Sequence, residues 1–289
     1  MRIIVGFPAG FAADILARLI GQRLSERLGQ PFVIENRPGA GTNVGTEIVV
    51  RAPPDGYTLL SFVTGSTVNQ ILYKNLTFVF SRDIEPIAKI GDGPFVMEVT
   101  PSLQAKTVPE FIAYAKANPG KINMASPGNG TSPHLCGELF NMMAGINMIH
   151  VPYRGSLLPD LLSGQVQVTF STIPTSIEYI RAGKLRPLAV TTAKRWQELP
   201  DLPSVGEAVP GYEASGWYGI GAPKGTPAEI IEKLNRELNT VLAAPDMKAR
   251  LVELGVVPMP MTPAEFEKFI AGEVEKWSKV IRAADIKAE

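Results

Sequence analysis

Apolar positions along this chain follow two periods that take turns. Ile3, Ile4 and Val5 form a short continuous run that predicts a buried strand over residues 2–6. Beyond the turn Phe7–Asp14, residues Ile15, Leu16, Leu19, Ile20 and Leu24 fall on one helical stripe. The pattern then repeats: a strand over Pro31–Glu35, a glycine-rich loop over Arg37–Gly45 opening another helix, and a strand over Thr58–Val63 behind the Pro53-Pro54-Asp55-Gly56 turn. Such alternation predicts an α/β protein with a mostly parallel sheet flanked by helices.

Three later helices carry a start signal of Thr-x-x-Glu with proline in the first turn: Thr107 with Glu110, Thr226 with Glu229, and Thr262 with Glu265. Between them the pattern predicts strands over Lys121–Ala125, Gln165–Phe170, Leu185–Thr191 and Gly216–Ala222. In the last helix Phe266, Phe269, Ile270, Val274, Trp277 and Ile281 share a face, which reads as core packing rather than a ligand box.

Two turns stand apart: Phe7-Pro8-Ala9-Gly10-Phe11-Ala12-Ala13-Asp14 and Ser126-Pro127-Gly128-Asn129-Gly130-Thr131-Ser132-Pro133 each follow a strand and open a helix. A helix start leaves N–H groups unpaired and carries partial positive charge, so a glycine-lined turn there suits a carboxylate or phosphate. The pair of turns suggests two α/β lobes, each offering one. At 289 residues the chain is long enough for two domains or one large unit.

Charge narrows the partners. Lys and Arg number 28, as do Asp and Glu, and charged residues are only 19% of the chain, so there is no basic field for nucleic acid. The single cysteine, Cys136, excludes an intramolecular disulfide, and with two histidines it builds no zinc site by local spacing; no metal and no cofactor are expected. No apolar run approaches the roughly 20 residues of a spanning helix. The first glycine turn follows Met1 by only a few residues, so the numbered chain is expected to lack an export signal.

Catalytic motifs are weak. Ser132 and His134 stand at i and i+2, which on a helix point to different sides. Gly128-x-Gly130 lacks the third glycine of a dinucleotide fingerprint, and neither turn continues into Gly-Lys-Ser/Thr. His150, in an expected strand, reads as a hydrogen-bonded, half-buried histidine. Asp14 is placed to hold loop N–H groups, with a direct or water-mediated ligand contact as the other reading. Tyr153-Arg154-Gly155 puts a phenol and a cation at a strand end, where α/β ligand sites form; Arg154 reads equally as a solvated surface residue.

The stretches Glu35-Asn36-Arg37-Pro38-Gly39-Ala40-Gly41-Thr42-Asn43-Val44-Gly45 and Arg51-Ala52-Pro53-Pro54-Asp55-Gly56-Tyr57-Thr58-Leu59-Leu60 strongly resemble the substrate-binding receptors of tripartite tricarboxylate transporters, the Bug-type solute receptors. The likeness continues through Ser126–Leu135, Val151–Gly155, Leu161–Val166, Ala182–Val190 and Gly216–Gly219, nearly end to end. It implies a two-lobed periplasmic binding protein fold, each lobe a mixed, mostly parallel sheet flanked by helices, with two crossings between lobes. Lobe one would comprise residues 1–98 and 223–289, final helix included, and lobe two residues 99–222.

The implied function is a periplasmic receptor, a monomer, that closes an interlobe cleft on a small carboxylate and hands it to the membrane permease subunits of the transporter. The implied ligand residues are Phe7, Ala9, Gly10, Phe11, Ala12, Asp14 and Ser66 in lobe one, and Ser126, Gly128, Gly130, Thr131, Ser132, His134, Tyr153, Arg154 and Gly155 in lobe two. Two positions depart from the family pattern: Phe11 replaces the second glycine of the first loop, and Thr42 stands where the third loop usually has glycine. A ring at Phe11 suits a mono- or dicarboxylate with a hydrocarbon or aromatic body better than citrate. Two other readings share the same residues: an α/β enzyme acting on a carboxylated substrate, and a ligand-sensing subunit of a signalling system.

Overall fold

The computed structural model describes residues 1–153, 155–197 and 199–287. The chain divides into two compact units, Met1–Asp92 with Trp217–Ser278, and Gly93–Gly216 with Lys279–Glu289.

The first unit opens with β1 (Arg2–Val5), α1 (Ala12–Leu28), β2 (Val33–Asn36), α2 (Asn43–Val50), β3 (Thr58–Val63), α3 (Thr64–Leu72) and α4 (Phe80–Asp83). The 16-residue strand β4 (Ile84–Val99) then carries the chain from the first unit into the second. There follow α5 (Val108–Ala117), β5 (Asn123–Ser126), α6 (Ser132–Ala144), β6 (Ile149–Pro152), α7 (Leu158–Ser163), β7 (Val168–Thr172), α8 (Ile173–Arg181), β8 (Arg186–Val190) and α9 (Val205–Ala208). Strand β9 (Ser215–Pro223) returns to the first unit, which ends in α10 (Ala228–Ala243), α11 (Pro245–Glu253), β10 (Val257–Pro258) and α12 (Pro263–Ala283).

Each unit is built on the same strand plan. In the first, β1 pairs in parallel with β2 and β3, and β3 pairs antiparallel with β9. In the second, β5 pairs in parallel with β6 and β7, and β7 pairs antiparallel with β4. The orders β2-β1-β3-β9 and β6-β5-β7-β4 therefore match, strand for strand. Both sheets are mixed: the long connectors β9 and β4 run antiparallel to their neighbours β3 and β7, and β10 and β8 each pair antiparallel with β4.

Those connectors move the unit boundaries away from where strand ends alone would put them. The chain changes unit inside β4, at Asp92/Gly93, and inside β9, at Gly216/Trp217, rather than at Val99 and Ala222, and the end of α12 from Lys279 groups with the second unit.

Core packing follows the sequence stripes with one exception. In α1, Leu16, Ile20 and Leu24 are fully buried, but Ile15 faces solvent and the small residues Ala13 and Ala17 complete the buried face. Along α12, Phe266, Ile270, Trp277 and Ile281 are buried, each worth about 1.5–3 kcal/mol on leaving water. The indoles of Trp217 and Trp277 both donate to one carboxylate oxygen, Glu273 Oε2, at 3.0 Å, which ties α12 to β9.

The three capping signals have different outcomes. Thr262 and Glu265 form the reciprocal box, at 3.3 and 2.9 Å. Thr107 accepts from Glu110 N–H, while the Glu110 carboxylate reaches the N–H of Lys106 rather than Thr107. Thr226 caps nothing: its hydroxyl donates back to Pro223 C=O and α10 starts after Pro227, because the preceding turn captures the side chain first. A box with no proline signal, Ser204 with Glu207, caps α9 instead.

One charged residue of the second unit has no counterpart in these patterns. Glu98, on β4, is fully buried, and neither carboxyl oxygen has a hydrogen bond of normal geometry among the described residues. Burial pushes this carboxyl up to about 7, with the hydroxyls of Ser171 and Ser176 opposing the rise only in part.

Candidate functional site

In both units the parallel strands end on one edge of the sheet, the carboxyl edge, where open α/β sheets place their ligands. The turn Phe7–Phe11 leaves the end of β1, and the turn Pro127–Thr131 leaves the end of β5.

The first turn is held by Asp14. Gly10, at φ +87°, points its N–H at Asp14 Oδ2 (2.8 Å). The same oxygen accepts from Arg18 Nε at 3.1 Å, while Oδ1 accepts from Asn36 Nδ2 and pairs with the Arg18 guanidinium, both at 2.9 Å. Asn36 Nδ2 also reaches Phe7 C=O at 3.0 Å. Burial works to raise this carboxyl, but the hydrogen bonds from Arg18, Gly10 and Asn36 outweigh it and hold Asp14 below its usual value. Asp14 thus shapes the turn with both oxygens engaged. On the outer side Phe7 and Phe11 stack with ring centroids 6.4 Å apart, and Phe11 is 53% exposed. Ala9 is exposed and Ala12 half-buried.

Beside it lies a buried polar cluster in which the sequence singles out Thr42 and Ser66 without joining them. Four consecutive residues, Gly39 to Thr42, have positive φ, and for the β-branched Thr42 the value is +84°. Such a conformation costs about 1–3 kcal/mol and persists where surroundings over-determine it. Here the Thr42 hydroxyl donates to Ser66 Oγ (2.9 Å), and its Cβ sits where a side chain on Gly6 would go, 2.6 Å from that position. Asn69 Nδ2 donates to Gly41 C=O and to Asn43 Oδ1, and Asn43 Nδ2 is buried with no partner among the described residues. Two glycines and an asparagine in Gly39-Ala40-Gly41-Thr42-Asn43 were the available signal.

The second turn repeats the first with different chemistry. Gly130, at φ +71°, points its N–H at His134 Nδ1 (3.0 Å), so that nitrogen carries the lone pair. Ser126 is fully buried; its hydroxyl donates to Gly128 C=O at 3.0 Å and accepts from Gly128 N–H at 3.1 Å. With that proton committed, Ser126 Oγ accepts from His150 Nε2 at 2.6 Å. The spacing resembles that of a nucleophile and its base, but a buried serine bonded to the turn carbonyl serves as a brace. The Thr131 hydroxyl also donates to Gly128 C=O, at 2.8 Å. Ser132, at the start of α6, makes no hydrogen bond through its hydroxyl to another described residue and is half-buried.

His134 and His150 lie face to face, centroids 3.5 Å apart and 8° from parallel. Burial lowers His150 to about 4, His134 adds to the lowering, and Glu138 opposes it. The half-buried, bonded histidine expected at 150 is therefore also a brace of the turn, which spacing along the chain did not reveal.

The remaining expected residues are distributed as follows. Tyr153, beyond β6, donates its phenol to Asp160 at 2.6 Å; burial and that carboxylate push it up to about 12. Gly155 is exposed with open space around it, and Arg154 lies outside the described residues. Ser66 is buried at the third residue of α3, bonded to Thr42 as above.

Two α/β units with matched strand orders, joined through long shared strands and each bearing a helix-opening glycine turn, have the fold of the periplasmic binding proteins. A family model described as the tripartite tricarboxylate transporter family receptor matches residues 16–286, and the chain belongs to that family. Protein BugT of Bordetella pertussis is 35% identical over 99% of this chain and 90% of its own length. Among solved structures, R. palustris Rpa4515 with adipate is 38% identical with a TM-score of 0.91, covering 99% of this chain and 97% of that one. MatC from Rhodopseudomonas palustris with bound malate is 29% identical with a TM-score of 0.86, covering 97% of this chain and 98% of that one.

Proposed function

We propose that this receptor works outside the cytoplasm as a monomer, binds a small mono- or dicarboxylate with a hydrocarbon or aromatic body, and delivers it to the permease subunits of a tripartite transporter. The observation that carries this reading is the pair of helix-opening turns whose glycine N–H is clasped by the residue four positions on, Gly10 by Asp14 and Gly130 by His134. Each clasp holds a turn open at a helix start, where the remaining N–H groups meet an anion.

Magnitudes favour a ligand with more than one polar anchor. Micromolar retention needs about −8.2 kcal/mol. A charge-assisted hydrogen bond contributes roughly 1.5–3 kcal/mol and an exposed helix start roughly 0.3–1, so three to five hydrogen bonds are required before ordering costs. The stacked Phe7–Phe11 pair adds apolar surface suited to methylene groups or a ring. Adipate in one relative and malate in another frame the chemistry to test. Asp14, Ser126, Thr131 and His134 are each engaged in bonds that hold their own turn, which supports capture rather than turnover.

A thermal-shift panel of malate, succinate, adipate, benzoate and citrate tests the reading, since a ligand bound only by the native state raises the melting temperature. We expect adipate or benzoate to shift it by several degrees and citrate to leave it unchanged. A panel in which no carboxylate moves the transition rejects the proposal.

A further inference from the structure

We propose that the stacked rings of His134 and His150 form a positioning device that keeps the second glycine turn open to an anion only while both are neutral, so that acidification lets the bound solute go. The inference rests on the carboxylate-receptor reading above and adds its regulation.

Two contacts define the device. His134 Nδ1 accepts the Gly130 N–H at 3.0 Å, and His150 Nε2 supports Ser126 Oγ at 2.6 Å, the oxygen that braces Gly128 through both its N–H and its C=O. Between them the rings fix both glycines of the turn. A proton added to His134 Nδ1 turns the acceptor into a donor facing the Gly130 N–H, and that bond is lost. A proton on either ring also places a cation face to face with its neighbour at 3.5 Å, and two protons are excluded by repulsion.

The groups facing the pair determine where the charge goes. From α6 these are His134 itself and Glu138, whose Oε1 is 3.6 Å from His134 Nε2; from β5 it is the uncharged Ser126. Just beyond β6, Tyr153 is engaged with Asp160. Glu138 therefore stands beside the His134 ring, the one that holds Gly130. The depressed value of His150 agrees with a site built for neutral imidazoles. The first turn has no such sensitivity in this range, because its clasp is the Asp14 carboxylate.

The conservative variants His134→Asn and His150→Gln keep an acceptor at the Nδ1 position and a donor at the Nε2 position without titrating. In the ligand-free wild-type protein, the Gly130 amide and the imidazole nitrogens should shift together by NMR as the pH falls from 6.5 to 4, and the Gly130 amide of the double variant should stay in place. By calorimetry with adipate, wild-type affinity should fall at least tenfold further than the variant's between pH 7.5 and 4.5; both proteins meet the same adipate protonation, so the difference isolates the rings. A Gly130 amide that stays still while the imidazoles titrate overturns the device, as does equal pH dependence in the two proteins. If adipate fails to bind at pH 7.5 the ligand reading is at fault, and the NMR titration still decides the device. If the double variant does not fold, the wild-type titration alone decides it.

Discussion

Asp14 and His134 occupy the same place in two different turns: each is the third residue of its helix, and each accepts the N–H of the positive-φ glycine four residues before it, at 2.8 and 3.0 Å. The backbone solution is shared, and the acceptor differs. One unit uses a carboxylate neutralised by Arg18, the other an imidazole stacked on a second imidazole.

Asp14→Ala leaves the Gly10 N–H, the Asn36 amide and the Arg18 guanidinium without their acceptor. We expect a loss of about 2–3 kcal/mol in urea denaturation at pH 7, with Asp14→Asn losing less because its Oδ1 still accepts from Gly10. Because folding lowers this carboxyl below 3.8, its contribution is present above that pH and disappears as the pH drops through the folded value. Wild-type stability in the alanine variant would show that the contacts do not define the turn.

Glu98 and His150 tilt the stability of the second unit in opposite directions. Folding raises Glu98 from 4.5 to about 7, so its neutral form stabilises below pH 4.5 and that contribution is lost as the pH rises to 7. His150 falls from 6.5 to about 4, so the folded protein resists its charging and stability declines as the pH drops from 6.5 to 4. Glu98→Gln removes the first effect. We expect it to gain about 2–3 kcal/mol over wild type at pH 8 and almost nothing at pH 5. Equal effects at both pH values, read from paired denaturation curves, would count against an ionising Glu98.

Gly6→Ala brings a methyl within 2.6 Å of Thr42 Cβ, and we expect it to cost about 1–3 kcal/mol by displacing a loop already held at positive φ. The double variant with Thr42→Gly should recover much of that loss in a thermal melt, since it removes both the obstacle and the strained residue. No recovery would place the cost of Gly6→Ala elsewhere.

Ser132→Ala should reduce affinity for adipate five- to tenfold, about 1–1.4 kcal/mol, with an unchanged melting temperature for the free protein, because its hydroxyl is uncommitted at the start of α6. Thr131→Ala should lower the melting temperature as well, since that hydroxyl already serves Gly128 C=O. Calorimetry showing full affinity in Ser132→Ala would remove the residue from the ligand site.

Most of the short strands and the capped helices, the position of each glycine turn and the acceptor role of Asp14 were legible in the chain, because they depend on contacts within a few residues: periods of 2 and 3.6, glycine before a helix, and a side chain four positions on; the 16-residue β4 carried no such signal and was not predicted. Thr226 shows the limit of local signals, since its hydroxyl had two short-range partners and the turn at Pro223 won.

What tertiary structure decided were the pairings between distant residues. The passage of β4 and β9 through both units, the seat of Thr42 against Gly6 and Ser66, and the stacking of His150 on His134 each join residues 16 to 150 or more positions apart where no periodicity reports distance. Hydrophobic patterning says which face of an element turns inward; only the packed sheet decides which inward faces meet, and it is that meeting that makes a histidine pair out of two residues the sequence presents separately.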